Sequence, residues 1–176
     1  RSAKLDVVLP YADASGSATF AGTRYRREVH GFGDPRLRVA VNFLGSPALT
    51  PAEFAGYRQD LILGASLQVT APLGQYNDDK LLNLGTNRWT LKPELAASKA
   101  WGPVTAEVAL AAALFSDNDD FFGNTRREQD PVYTAQAHLV YTFRRGFWGA
   151  LDATAYRGGR TTVDGVGSSE TALGVS

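Results

Sequence analysis

The sequence predicts an all-β fold: an antiparallel transmembrane β-barrel with one short periplasmic helix. Three observations predict it. First, from Asp60 to Tyr156 one unit recurs, a run of alternating apolar and polar side chains followed by a turn. Second, the runs are long. A typical globular strand has about 5–6 residues, whereas a tilted strand crossing a bilayer needs roughly 9–11. Third, the connections alternate between long and tight, as in bacterial outer-membrane barrels.

The clearest run is 60–71. Leu61, Leu63, Ala65, Leu67, Val69 and Ala71 fall on one face, and Asp60, Ile62, Gly64, Ser66, Gln68 and Thr70 on the other. Successive side chains of a strand point to opposite faces, so this run is two-faced. In a barrel the apolar face meets lipid and the polar face lines a lumen.

Along the chain, Leu5 to Pro10 reads as a short strand end, and Tyr11 to Ser17, with Pro10 before it and Gly16 inside, as a turn. Ala18 to Val29 is extended but weakly patterned, and Gly31 to Pro35 is a compact turn. Arg36 to Phe43 alternates cleanly. Thr50-Pro-Ala-Glu53 is a capping box with proline at the first helical position, which predicts a helix over 50–58. Strands are then predicted over 88–100, 104–115, 131–144 and 147–157, with another beginning near Glu170. Long polar connections at 74–87, 116–130 and 158–169 alternate with tight turns at Trp101–Pro103 and Arg145–Gly146. The long loops belong outside the cell, and the tight turns and helix on the periplasmic side.

The count is about nine strands or strand parts, and the chain ends inside one, at Thr171 to Ser176. An open sheet edge in lipid leaves unpaired backbone groups. The expectation is therefore one outer-membrane barrel domain over 1–176, incomplete at both ends, belonging to a barrel of roughly twelve strands. The chain begins at Arg1, without Met or a signal segment, as a processed or trimmed chain would.

Composition narrows the function. The 176 residues carry 18 basic and 18 acidic side chains, so the electrostatic argument for nucleic acid is missing. Mean hydropathy is −0.20, which a barrel tolerates because half of each strand faces water. There is no Cys, so zinc–thiolate sites and disulfides are excluded. Asp117-Asn-Asp-Asp120 offers several oxygens in the manner of a calcium loop, but without the EF-hand spacing. A solvated acidic loop, or one paired with Arg126 and Arg127, is the simpler reading. Trp89, Trp101, Trp148, Phe143 and Phe147 sit near strand ends, where aromatic rings would form a membrane-interface girdle.

Asn83-Leu-Gly-Thr-Asn-Arg-Trp-Thr-Leu-Lys-Pro-Glu94 resembles a signature of the "meta-pathway of phenol degradation" family. So do Gly33-Asp-Pro35, Pro47 to Phe54, Pro72 to Tyr76, Asn118 to Gly123, Arg127 to Pro131 and Tyr156 to Thr162, in family order. The resemblance implies an outer-membrane channel for passive uptake of small, hydrophobic or aromatic molecules. It carries over no catalytic residue.

Keeping polar residues on one face through the two tight hairpins needs an even-length turn at Ala100–Pro103 and an odd one at Arg144–Gly146. The lumen-lining candidates are then Arg88, Lys92, Glu94, Glu107, Gln136, His138, Asp152 and Tyr156. Ser98, Thr105, Thr134 and Thr154 accompany them. Glu107, His138 and Asp152 fall at similar depth on three consecutive strands, where they would form a constriction or an internal ion-paired network. The rival functions are a structural or adhesive surface barrel and a lipid-acting barrel enzyme. The second lacks a Gly-x-Ser-x-Gly elbow. No enzyme activity, cofactor or metal is called for. The expected partners are outer-membrane lipid and a small solute, without nucleic acid, and a monomer is favoured.

Overall fold

The computed structural model describes residues 2–20, 23–80 and 82–167. It is all-β apart from one helix. The elements are β1 (Ser2–Val8), β2 (Tyr11–Phe20), β3 (Thr23–Phe32), β4 (Arg36–Leu44), α1 (Pro51–Gly56), β5 (Leu61–Thr70), β6 (Thr90–Trp101), β7 (Val104–Phe115), β8 (Asn118–Phe121), β9 (Thr125–Gln129), β10 (Val132–Arg144), β11 (Phe147–Gly158), β12 (Thr161–Val163) and β13 (Val166–Gly167).

Seven of these make one antiparallel sheet in the order β1-β4-β5-β6-β7-β10-β11. The long strands β6, β7, β10 and β11 have 12, 12, 13 and 12 residues, enough to cross a bilayer at a tilt. Every long excursion leaves from one end of this sheet. They are the β2–β3 hairpin, the 71–89 loop, the β8–β9 hairpin and the β12–β13 hairpin. The opposite end carries α1 and the two tight turns.

The register separates the two faces. Leu5, Val39, Leu67, Leu95, Leu110, Leu139 and Leu151 share a parity, while Lys4, Ser66, Glu94, Glu107, His138 and Asp152 share the other. On the apolar face Leu95, Leu110 and Leu151 are 63%, 63% and 73% exposed. Among the described residues Val29, in the β2–β3 hairpin, is the sole buried hydrophobic side chain. A β-sandwich would have to bury that apolar face against a second sheet. The four-stranded sheet β13-β12-β9-β8 belongs to the loop end instead.

Both hairpin parities are observed, but the second is reached by another route. Gly102, at φ 56°, and Pro103 make a two-residue turn that pairs Ala100 with Thr105. Positive φ followed by proline is the pattern of a type II′ hairpin. Arg145-Gly146 is also a two-residue turn, and the odd offset comes from a bulge between Thr142 and Arg144. The extra residue, Phe143, shifts the register by one and keeps His138 opposite Asp152.

Helix α1 starts where its capping box requires. The Thr50 side chain accepts from the Glu53 backbone N–H, and the Glu53 carboxylate accepts from the Thr50 N–H at 2.8 Å. The helix is shorter than 50–58, because Tyr57 is already extended.

Three sequence expectations are corrected. Tyr11 to Ser17 is not a turn: with the weakly patterned 18–29 stretch it forms the β2–β3 hairpin, paired from Tyr11↔Phe32 to Phe20↔Thr23. Gly16 and the small residues around it mimic turn composition, yet alternate Ala12 and Ala14 with Asp13 and Ser15 as a strand does. The compact turn begins only at Gly33, because Phe32 still pairs. The long loops contain β8, β9, β12 and β13, so the strand segments number more than about nine. The strand predicted near Glu170 lies outside the described residues.

Candidate functional site

The polar face begins as a ladder of register pairs. Glu107 lies opposite His138, and His138 opposite Asp152, so these residues stand abreast on β7, β10 and β11. Ser98 of β6 extends the row, since it also lies opposite Glu107. Hydrogen bonds join its members. Gln59 Nε2 donates to Ser98 Oγ at 2.5 Å, Ser98 Oγ donates to Glu107 Oε1 at 2.9 Å, and His138 Nδ1 pairs with Asp152 Oδ1. Beside this row lies a recess of about 440 Å³. It is lined by Asn42, Gln136 and Thr154 as well as by Glu107, His138 and Asp152.

Two rows nearer the loop end, a second network crosses β4, β5 and β6. Arg38 Nη2 donates to Glu94 Oε1 at 2.6 Å and to Ser66 Oγ at 3.1 Å. Ser66 Oγ donates to the same Glu94 oxygen at 3.2 Å. Lys92 lies opposite Gln68, and Tyr156 opposite Thr134. Lys92, Glu94, Glu107, Gln136, His138, Asp152 and Tyr156 thus share one face.

Arg88 does not join them on a strand. It lies two residues before β6, is 8% exposed, and is held in the loop layer. Its Nη2 donates to Gln129 Oε1 at 2.6 Å, and its guanidinium lies 4.4 Å from the centre of the Phe115 ring. Burial, and secondarily the charge of Arg127, pulls its pKa down to about 10. The parity of residue 88 matches Lys92, but the chain has not yet entered the sheet there.

The loop layer holds polar groups that the periodicity of the strands could not single out. Asp34, 7% exposed, accepts from Gly74 N–H at 2.9 Å, Thr86 N–H at 2.7 Å and Thr86 Oγ at 2.7 Å. Asn118, 1% exposed, accepts from Asn87 Nδ2 at 2.9 Å and donates to Tyr76 Oη at 3.0 Å. Asn83 ties Asn77 and Lys80 into one turn. A Cβ on Gly74 would sit 2.6 Å from the Gly33 carbonyl carbon, and one on Gly85 2.8 Å from that of Gly74. Glycine is required because three backbones stack there. The signal was present as Asn, Asp and Gly clusters, residues that cap and turn loops.

The acidic run 117–120 is answered by a cation of the chain. Arg126 pairs with Asp117, with Asp119 at 3.4 Å and with Glu128 at 3.1 Å. The hydrogen bond and charge of Asp117, first among these, raise the Arg126 pKa.

The comparisons with known proteins agree with this architecture. A crystal structure of an outer membrane channel from Pseudomonas putida F1 superposes with a TM-score of 0.69 at 31% identity. The match covers 94% of this chain and 58% of that channel, so the chain spans a little over half the length of its relative. No curated protein matches the sequence. The strand lengths, the exposed apolar face and this likeness place the chain in the bacterial outer membrane as β-barrel wall. A family model described as "Putative MetA-pathway of phenol degradation" matches residues 3–176, and the chain belongs to that family.

Proposed function

We propose that the full protein is a channel for passive uptake of small hydrophobic or aromatic molecules, and that the polar face is its lumen wall. The observation that carries this reading is the two-faced seven-stranded sheet. It exposes large apolar side chains on one face and sets Lys92, Glu94, Glu107, Gln136, His138, Asp152 and Tyr156 on the other. Apolar side chains are stable toward lipid, and polar ones line a water-filled path. The similar protein from Pseudomonas putida is itself an outer membrane channel, and the family description supports an aromatic solute. The buried Arg88 belongs to the loop frame around the mouth, where it positions strands and does not line the wall.

An enzyme reading has less support. The His138 ring nitrogen facing Asp152 gives the base-and-orienter half of a hydrolytic triad, but its other cross-strand partner is the carboxylate Glu107, not a hydroxyl nucleophile.

Proteoliposomes carrying the full-length protein should take up phenols and aromatic acids down their gradients, faster than empty vesicles and without an energy source. Uptake no faster than in empty vesicles would return the protein to the structural or adhesive class.

A further inference from the structure

We propose that the β10–β11 turn carries a binding site for an anionic phospholipid of the inner leaflet. Arg144 and Arg145 take the headgroup phosphate, and the rings of Phe143 and Phe147 take the chain segment beneath it. The proposal rests on the membrane placement and is independent of what passes the lumen.

The bulge decides which side Arg144 faces. Without it, even-numbered residues of β10 would stay on the polar face with Gln136, His138 and Thr142. Because Phe143 is the extra residue, Arg144 pairs with Phe147, which shares its parity with Leu151 on the lipid side. The side chains follow that turn outward. The Arg144 guanidinium lies 5.9 Å from the centre of the Phe147 ring, within cation–π range. Phe147 packs on Phe143 with ring centres 5.1 Å apart, and Phe143 on Tyr141 at 4.8 Å. The Phe143 ring also reaches across β11, where a Cβ on Gly149 would meet it at 3.5 Å.

Along this strand pair the lipid side reads apolar, then aromatic, then cationic. Leu139 lies opposite Leu151, Tyr141 follows, then Phe143 and Phe147, and Arg144 and Arg145 come at the turn. That is the order of a phospholipid from acyl chain to phosphate, with aromatic rings at the interface. The charges point the same way. Lys99, outward in register with Leu61, is answered by the chain's own Asp60. Arg144 and Arg145 are exposed, and none of the ion pairs among the described residues involves either of them. Glu107 and Asp152, the carboxylates of the neighbouring strands, lie on the opposite face.

A guanidinium facing lipid is costly unless it reaches the interface. There its planar fork matches a phosphate through paired hydrogen bonds. Short turns of outer-membrane barrels lie on the periplasmic side, where the leaflet is phospholipid. The ammonium of phosphatidylethanolamine competes with arginine for its own phosphate, whereas phosphatidylglycerol has no such cation. The site therefore selects the anionic lipid.

The test titrates delipidated full-length protein in detergent with phosphatidylglycerol or phosphatidylethanolamine and counts bound lipid by native mass spectrometry. Half-saturation by phosphatidylglycerol should come at a concentration at least fivefold lower. Arg144→Gln with Arg145→Gln should abolish that preference, while Lys99→Gln, which removes a cation already paired, should leave it intact. If the double variant does not fold, Arg144→Lys keeps the charge without the fork and should weaken phosphatidylglycerol at least twofold. Equal affinity for the two lipids, or a preference that survives the arginine variants, overturns the proposal. The leaflet is tested separately. The chain has no Cys, so Arg145→Cys introduces a single reporter in it. A membrane-impermeant maleimide should label it, above the unsubstituted protein, only after the outer membrane is opened. Labelling on intact cells would put the turn outside and overturn the inner-leaflet site.

Discussion

Asp34 shows what a single residue does in this protein. Its buried carboxylate accepts three hydrogen bonds from two points of the 71–89 loop. Asp34→Ala leaves Gly74 N–H, Thr86 N–H and Thr86 Oγ1 without their acceptor; a buried unsatisfied group costs about 1–3 kcal/mol, and exposed Thr86 recovers part of its share from water. Protection of the 72–88 amides against hydrogen exchange should fall by at least tenfold, while the exchange of β6 and β7 stays nearly unchanged. Asp34→Asn keeps one acceptor oxygen and should lose less. Loss of protection spread evenly over the sheet would contradict a local role for Asp34. On the polar face, Glu107→Gln and Asp152→Asn should each alter permeation of charged solutes more than of neutral ones. Unchanged charge preference in both variants would show that the row does not face the solute path. The row Glu107–His138–Asp152 was legible in the sequence because turn lengths propagate parity. Asp34 and Asn118 fall within the family's motifs, but their roles were illegible, since their partners are 31 to 52 residues away in another loop.

The capping box and the bulge carry the argument at the scale of an element. The Glu53 carboxylate is held below the ordinary carboxylate range, first by its hydrogen bond to the Thr50 backbone and then by the Thr50 hydroxyl. A depressed folded pKa stabilises above the unfolded value and loses that contribution as pH falls through the folded pKa. The 45–60 connection should therefore become more susceptible to protease on acidification below the usual Glu range, and Glu53→Gln should flatten that dependence. Thr50→Ala should cost about 1 kcal/mol of helix stability and raise cleavage near Tyr57. The helix was legible because its signal is local. The Phe143 bulge was not: the odd offset could be deduced, but a bulge and a longer turn give the same parity. Gly85→Ala, which drives a methyl into the Gly74 backbone, should loosen the loop stack at neutral pH without changing strand content by circular dichroism.

At the level of the whole molecule, the strand periods, the loop asymmetry and the apolar face were all readable from sequence, because lipid and water impose a two-residue rhythm. The hairpins within the loops were not, since short strands rich in Gly, Asn and Asp share their composition with turns. Full-length protein should need detergent to remain monodisperse. A monodisperse species in plain buffer would overturn the placement of Leu95, Leu110 and Leu151 toward lipid.

The two charged networks are not merely adjacent. Arg36, Arg38 and Lys92 lie toward the loop end of the polar face, where Asp6 and Glu94 offset part of their charge, and Glu107 and Asp152 lie toward the turn end. Under the proposed channel reading, a wall with excess positive charge at its outer mouth and negative charge at its inner one is a permanent dipole along the path, and it should act as a rectifier. Making the periplasmic compartment positive draws cations in past the carboxylates and anions in past the guanidinium groups, so both accumulate and current rises. The opposite polarity drains both. For oriented single insertions the current–voltage curve should bend this way at 0.1 M salt, where charges reach about 10 Å, and straighten near 1 M, where they reach about 3 Å. Glu107→Gln with Asp152→Asn should remove most of the bend at low salt. The protein would then admit charge more readily under one sign of voltage than the other, without any moving part.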